Sequence, residues 1–219
     1  MLTISTIVYY LSIAIILLIA IWLHEYSHAY VSYKLWDPTP KLQWRLTTNP
    51  FKHIDIVWFF MIFLIWFGWW KPVQVNPYYY KDPVKWELMV ALAWPAMNMV
   101  LAILWIILIL TVSKISWLGI NNIYLWNSNY IISFLYQFSI INICLAVFNM
   151  IPLPPLDGFR LVKIVSLKFA NIIEQYTRYI VIAFLLVVLL GQNVIWWFLG
   201  SVTWSIFEFL FTLFAGIFY

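Results

Sequence analysis

Long apolar runs along the chain alternate with short polar or proline-rich pieces. The runs fall at about 4–33, 54–70, 86–112, 130–150, 177–191 and 194–218. A bilayer core takes about 20 helical residues. The pattern therefore predicts an all-α polytopic membrane protein with about five to six transmembrane helices. Run 54–70 is marginal in length. Between the runs, "KLWDPTPKLQWRLTTNPFKHID" (34–55) alternates in polarity and is broken by prolines, which reads as a short membrane-associated β-hairpin. "KPVQVNPYYYKDP" (71–83) has too many prolines for a helix. "SWLGINNIYLWNSN" (116–129) reads as a polar loop. Prolines at 152, 154 and 155 in "NMIPLPPLDGFR" must break the preceding helix, and a new helix is expected from Asp157 to about Phe169. Neither a repeat nor a domain linker interrupts 1–219, which reads as one membrane-embedded domain.

Composition strengthens this reading. The chain is 65% hydrophobic and 9% charged, with a mean hydropathy of +0.92, whereas a soluble domain is about 25% charged. The net charge of +4 does not point to nucleic acid, because the basic residues sit in short loops. All but Lys114 lie in 34–53, 71–85 and 160–178, and the positive-inside rule puts those three loops in the cytoplasm. If loops 34–53 and 71–85 share a side, 54–70 must be shallow or re-entrant. The first run has neither a basic residue before it nor a small-residue cleavage pattern after it, so it reads as a retained helix rather than a signal peptide. The single Cys144 excludes an internal disulfide.

The chemistry begins with "WLHEYSHAY" (22–30), at the end of the first apolar run. Ionisable residues in such a run are costly and functional by default, at roughly 2.5–3.5 kcal/mol for a charge at the bilayer centre. His24 and His28 lie four apart, one turn apart on one helix face. Two imidazoles at that spacing can bind one Zn2+ with Glu25 beside them as general base. Structural zinc binding of roughly 10–16 kcal/mol exceeds the insertion cost. A catalytic site needs a third protein ligand. From the residues alone it is His53 or Asp157, the latter placed just after the proline break and near a helix start.

"HEYSHAY", "AWPAMN" (93–98) and "NMIPLPPLDG" (149–158) resemble the motifs of the site-2 protease family of intramembrane zinc metalloproteases. "KLWDPTP", "RLTTNPFKHID" and "GWWKPVQVNP" have counterparts in the small subgroup without a PDZ insertion, and the similarity runs from about residue 20 to 165. The resemblance implies zinc on His24, His28 and Asp157, with Glu25 as base. It also implies that Asn98 and Asn149 bind the substrate backbone or polarise the scissile carbonyl. Trp94, Trp36, Trp44 and Trp58 stand where the family usually or often has glycine. Fifteen Trp against six Gly is the pattern expected if UGA codons read as glycine were translated as tryptophan.

The expected function is intramembrane zinc endopeptidase, acting on transmembrane protein substrates in a prokaryotic cell membrane, with the active site open to the cytoplasm. Segment 41–48, read as strand, would present an edge to the extended substrate. The alternatives are a divalent-metal transporter and a non-catalytic zinc-binding membrane protein. Only Asp55 and Glu208 are spare in or beside the apolar runs, which argues against a transit path. The intact Glu25 argues against a non-catalytic binder.

Overall fold

The computed structural model describes residues 4–53, 73–115 and 130–218. Its elements are α1 (Ile4–Lys34), α2 (Thr39–Leu42), α3 (Pro83–Ile115), α4 (Tyr130–Asn149), α5 (Phe159–Val165), α6 (Leu167–Gln175), α7 (Thr177–Leu190) and α8 (Gln192–Phe218). Two 3-10 turns, Pro50–Lys52 and Pro77–Tyr79, complete them. Among the described residues four helices are long and apolar enough to cross a membrane: Thr6–Lys34, Pro83–Ile115, Tyr130–Asn149 and Asn193–Phe218. Leu167–Gln175 and Thr177–Val188, bent by 75° at Tyr176, would make a fifth if they form one broken span. The expected spans at 4–33, 86–112, 130–150 and 194–218 are thus present. The shallow or re-entrant segment expected at 54–70 lies outside the described residues.

Two local expectations are corrected. Among the described residues no strand forms, and 34–53, the described part of the hairpin expected over 34–55, holds α2, the Pro50–Lys52 turn and the turns and bends between them. In particular, 41–48 begins in the last turn of α2 and continues as turn and bend, so it offers no strand edge. The reason is local. Pro38 and Pro40 favour the first turn of a helix, and the Asp37 carboxylate accepts the Thr39 N–H at 2.9 Å just before it. The helix expected from Asp157 to Phe169 starts at Phe159 and stops at Val165. Ser166 turns extended (φ −156°, ψ 100°), and its hydroxyl accepts the Phe169 N–H to cap α6.

The described contacts fall into two compact units, Leu17–Met97 and Met1–Ile16 with Asn98–Tyr219. In the Leu17–Met97 unit the C-terminal part of α1 meets the N-terminal part of α3, and a buried polar hub ties α1 to the loop before α3. Asp37 is fully buried. One of its oxygens accepts from the Ser32 hydroxyl at 2.7 Å and the Asn76 N–H at 2.8 Å. The Ser32 hydroxyl also meets the Tyr80 hydroxyl at 2.8 Å. Loops 34–53 and 73–82 are thereby pinned to one end of the unit. Removing a buried acceptor of this kind strands its donors. Asp37→Ala is expected to cost about 2–4 kcal/mol, read as a lowered unfolding midpoint in detergent, and Asp37→Asn less.

In the other unit, α4 packs along α8 and the second half of α3. Ala102, Ile106 and Leu110 meet Ile143, Phe207 and Leu210 in one buried cluster. The Trp105 and Phe138 rings lie 4.5 Å apart, and those of Tyr136 and Phe207 meet edge to face at 5.2 Å. Lipid supplies no hydrophobic drive between helices, so close side-chain packing of this kind holds the bundle. At the end of α4 the chain turns sharply: Gly158 N–H donates to the Asn149 carbonyl at 2.7 Å. A Cβ at Gly158 would press on the Met150 carbonyl and sit 2.6 Å from that of Ile151, so only glycine fits this turn.

Candidate metal centre

In the Leu17–Met97 unit, α1 carries His24, Glu25 and His28 within about one helical turn. The two imidazoles face each other edge to face, with ring centroids 4.9 Å apart. His28 is buried, and its Nδ1 lies 2.9 Å from the Val90 carbonyl of α3. A carbonyl can only accept, so Nδ1 carries a proton and donates it, which leaves Nε2 as the lone pair of the neutral ring, the form a metal takes, and the Val90 bond fixes the ring's orientation. His24 stacks against the Trp94 indole at 4.2 Å. That indole is fully buried, and its N–H has no hydrogen-bond partner among the described residues.

Glu25 is 4% exposed. Its Oε2 accepts the Val73 N–H at 2.8 Å, and its Oε1 lies 3.6 Å from His24 Nε2. The carboxylate is thus held by backbone on one side and faces an imidazole on the other. Two imidazoles one helical turn apart are donors that suit zinc, and the carboxylate held beside them is not needed to bind it.

His53 belongs to the same unit but is engaged elsewhere. Its Nε2 donates to the Thr47 carbonyl at 3.1 Å. The Arg45 guanidinium crosses the same loop to the Lys52 carbonyl. Burial, the largest cause, lowers the His53 pKa. The Thr47 bond opposes that shift, and the Arg45 charge adds to it. A histidine whose folded pKa is depressed takes up its proton more readily when unfolded. Its stability contribution is therefore full above the ordinary value of about 6.5. It is lost as the pH falls below that value through the lowered folded one. The melting temperature is expected to drop between pH 7 and pH 5, and His53→Gln to flatten that part of the profile.

In the other unit, Asp157 sits in the turn between α4 and α5. Its Oδ1 is 3.5 Å from Arg160 Nε. It is not the cap of α5: that position is Gly158, with no side-chain cap bond. The two asparagines differ. Asn98 is fully buried on α3, and neither of its amide atoms has a partner among the described residues. Asn149 turns its amide back onto its own helix, at 3.3 Å from the Leu145 carbonyl.

The family model described as "Peptidase family M50" matches residues 12–191. The chain belongs to peptidase family M50. This site-2 protease family membership agrees with the resemblance carried by the three motifs. The chain is also 33% identical over 211 residues to "Putative zinc metalloprotease YwhC" of Bacillus subtilis (strain 168), covering 94% of this chain and 92% of that protein. No solved structure matches. The M50 chain is a membrane-embedded zinc metalloprotease, and zinc is its cofactor. Sequence reasoning missed the backbone groups that orient the M50 motif, Val73 N–H and Val90 C=O, because such groups carry no side-chain signature.

Proposed function

We propose that this protein is an intramembrane zinc endopeptidase that cuts transmembrane protein substrates, with His24, His28 and Asp157 as ligands and Glu25 as general base. The observation that carries the reading is the pairing of a tautomer-fixed His28 with a buried, backbone-held Glu25 one turn away. A zinc ion held by these residues would lower the pKa of a bound water to about 7 and polarise a peptide carbonyl. Glu25 takes a proton from the attacking water and returns it to the leaving amine. The Val73 N–H keeps the second carboxylate oxygen fixed, so the first is the one presented to water. Asn98, buried with both amide atoms unpartnered among the described residues, suits a role on the substrate backbone, which a helical substrate exposes only after unwinding. A transporter would use the same ligands but would give no task to a carboxylate held in this way.

Depth supports cleavage inside the membrane. At 1.5 Å per residue, His28 and His24 lie roughly 9 and 15 Å along the helix from Lys34, below the basic end of the unit. That end, with Lys34, Lys81 and Lys85, faces the cytoplasm by the positive-inside rule, and water reaches the site from there. The reading is tested with purified protein reconstituted in vesicles beside a single-pass membrane protein. A chelator is expected to stop cleavage and added Zn2+ to restore it, whereas cleavage that persists in metal-free protein overturns the proposal.

A further inference from the structure

Two turns share one unusual feature. Past the end of α1, Trp36 N–H donates to the Tyr33 carbonyl and Asp37 N–H to the Ser32 carbonyl, both at 3.1 Å. Past the end of α2, Trp44 N–H donates to Lys41 at 3.0 Å and Arg45 N–H to Pro40 at 2.8 Å. Each pair of bonds is the 5→2 and 6→1 pattern of a Schellman motif. In that motif the residue just past the helix end takes the left-handed conformation, a place held usually by glycine and sometimes by asparagine. Here both places hold tryptophan, at φ 71° and 56°. They are the positive-φ non-glycine residues of the described chain, and none of its described glycines has positive φ. A bulky residue there is a genuine outlier.

Nothing in the packing compensates. Trp36 is 72% exposed and Trp44 79% exposed, so neither indole gains a buried site in exchange for the strained backbone. Anchoring in a membrane-interface aromatic belt would explain exposed indoles. It would not explain why both fall at the one helix-end position that calls for glycine. The composition, with fifteen Trp and six Gly, leans the same way.

We infer that positions 36 and 44 are glycine in the polypeptide its host makes, the tryptophans standing for UGA codons that the host decodes as glycine. Glycine there closes both Schellman turns without strain. It also sets the entry to Asp37, whose carboxylate ties loop 73–82 to α1. Trp58 lies outside the described residues. Trp94 sits within α3, where its backbone conformation does not discriminate.

Trypsin separates the two positions into Leu35–Lys41 and Leu42–Arg45. Mass spectrometry of protein from host membranes is expected to find glycine in both peptides, and the gene UGA at both codons. UGG codons, or tryptophan in the host peptides, overturn the inference. An independent arm uses recombinant protein in detergent. Trp36→Gly and Trp44→Gly are each expected to raise the melting temperature by about 2–4 °C. Trp204→Gly, inside α8, is expected to lower it. A fall at 36 and 44 matching that at 204 overturns the claim that these are glycine positions. None of these readouts depends on peptidase activity.

Discussion

Glu25→Gln is expected to leave the zinc content at its wild-type value and to lower peptide cleavage by about 10²–10⁴-fold, the usual contribution of a positioned acid–base group. The amide matches the carboxylate in shape, and its oxygen can still accept the Val73 N–H, so α1 and the loop before the Pro77–Tyr79 turn should stay in place. What is lost is proton affinity at the carboxylate oxygen that the Val73 N–H does not hold. Metal analysis beside cleavage by the reconstituted variant separates the outcomes. Undiminished cleavage would remove Glu25 from the chemistry. Loss of zinc would make it a ligand or a support rather than a base. A comparison of membrane proteomes with wild-type and Glu25→Gln protein would add the substrates, as transmembrane proteins that are shortened only by the wild type.

The spanning helices α1, α3, α4 and α8 were legible because a run of 20 or so apolar residues has few other ways to satisfy its backbone. The motif histidines were legible for the complementary reason: a polar cluster in such a run demands an offset. Less was visible where short-range effects compete. Leu42, Trp44 and Leu46 alternate with polar residues and suggested a strand. The Asp37 carboxylate on the Thr39 N–H and the prolines at 38 and 40 outweigh that alternation over so short a stretch. The break at Ser166 had a signal, a serine with its hydroxyl on the Phe169 N–H, but no acidic residue three positions later to complete a capping box. The Asp37 hub could not be read at all. Its partners Ser32, Asn76 and Tyr80 are up to 43 residues away in sequence, counting from Asp37 to Tyr80, and two of its three bonds to described donors use backbone N–H groups.

The contrast between His53 and Asp157 is instructive because sequence alone left both open as third ligand. His53 already spends Nε2 on the Thr47 carbonyl. Its burial favours the neutral ring without calling for a metal. Asp157 occupies a turn that only glycine at 158 permits, an expensive local arrangement if the carboxylate served merely to begin a seven-residue helix that it does not cap.

Asp157→Ala is therefore expected to release zinc and, with it, activity. Apparent zinc binding of roughly 10–16 kcal/mol shared among three or four ligands assigns about 3–5 kcal/mol to each. That is on the order of a thousand-fold in Kd. Removing the carboxylate has a second effect of the same sign. Arg160, now 3.5 Å from Asp157 Oδ1, would lose its counter-charge and leave a bare guanidinium in the same turn, which repels a dication. Asp157→Ala with Arg160→Ala should recover part of the affinity if that repulsion matters, and none of the cleavage if the carboxylate itself is the ligand. Zinc titration of the detergent-solubilised variants measures both. Unchanged zinc affinity in Asp157→Ala would move the third ligand elsewhere, with His53 the first position to test.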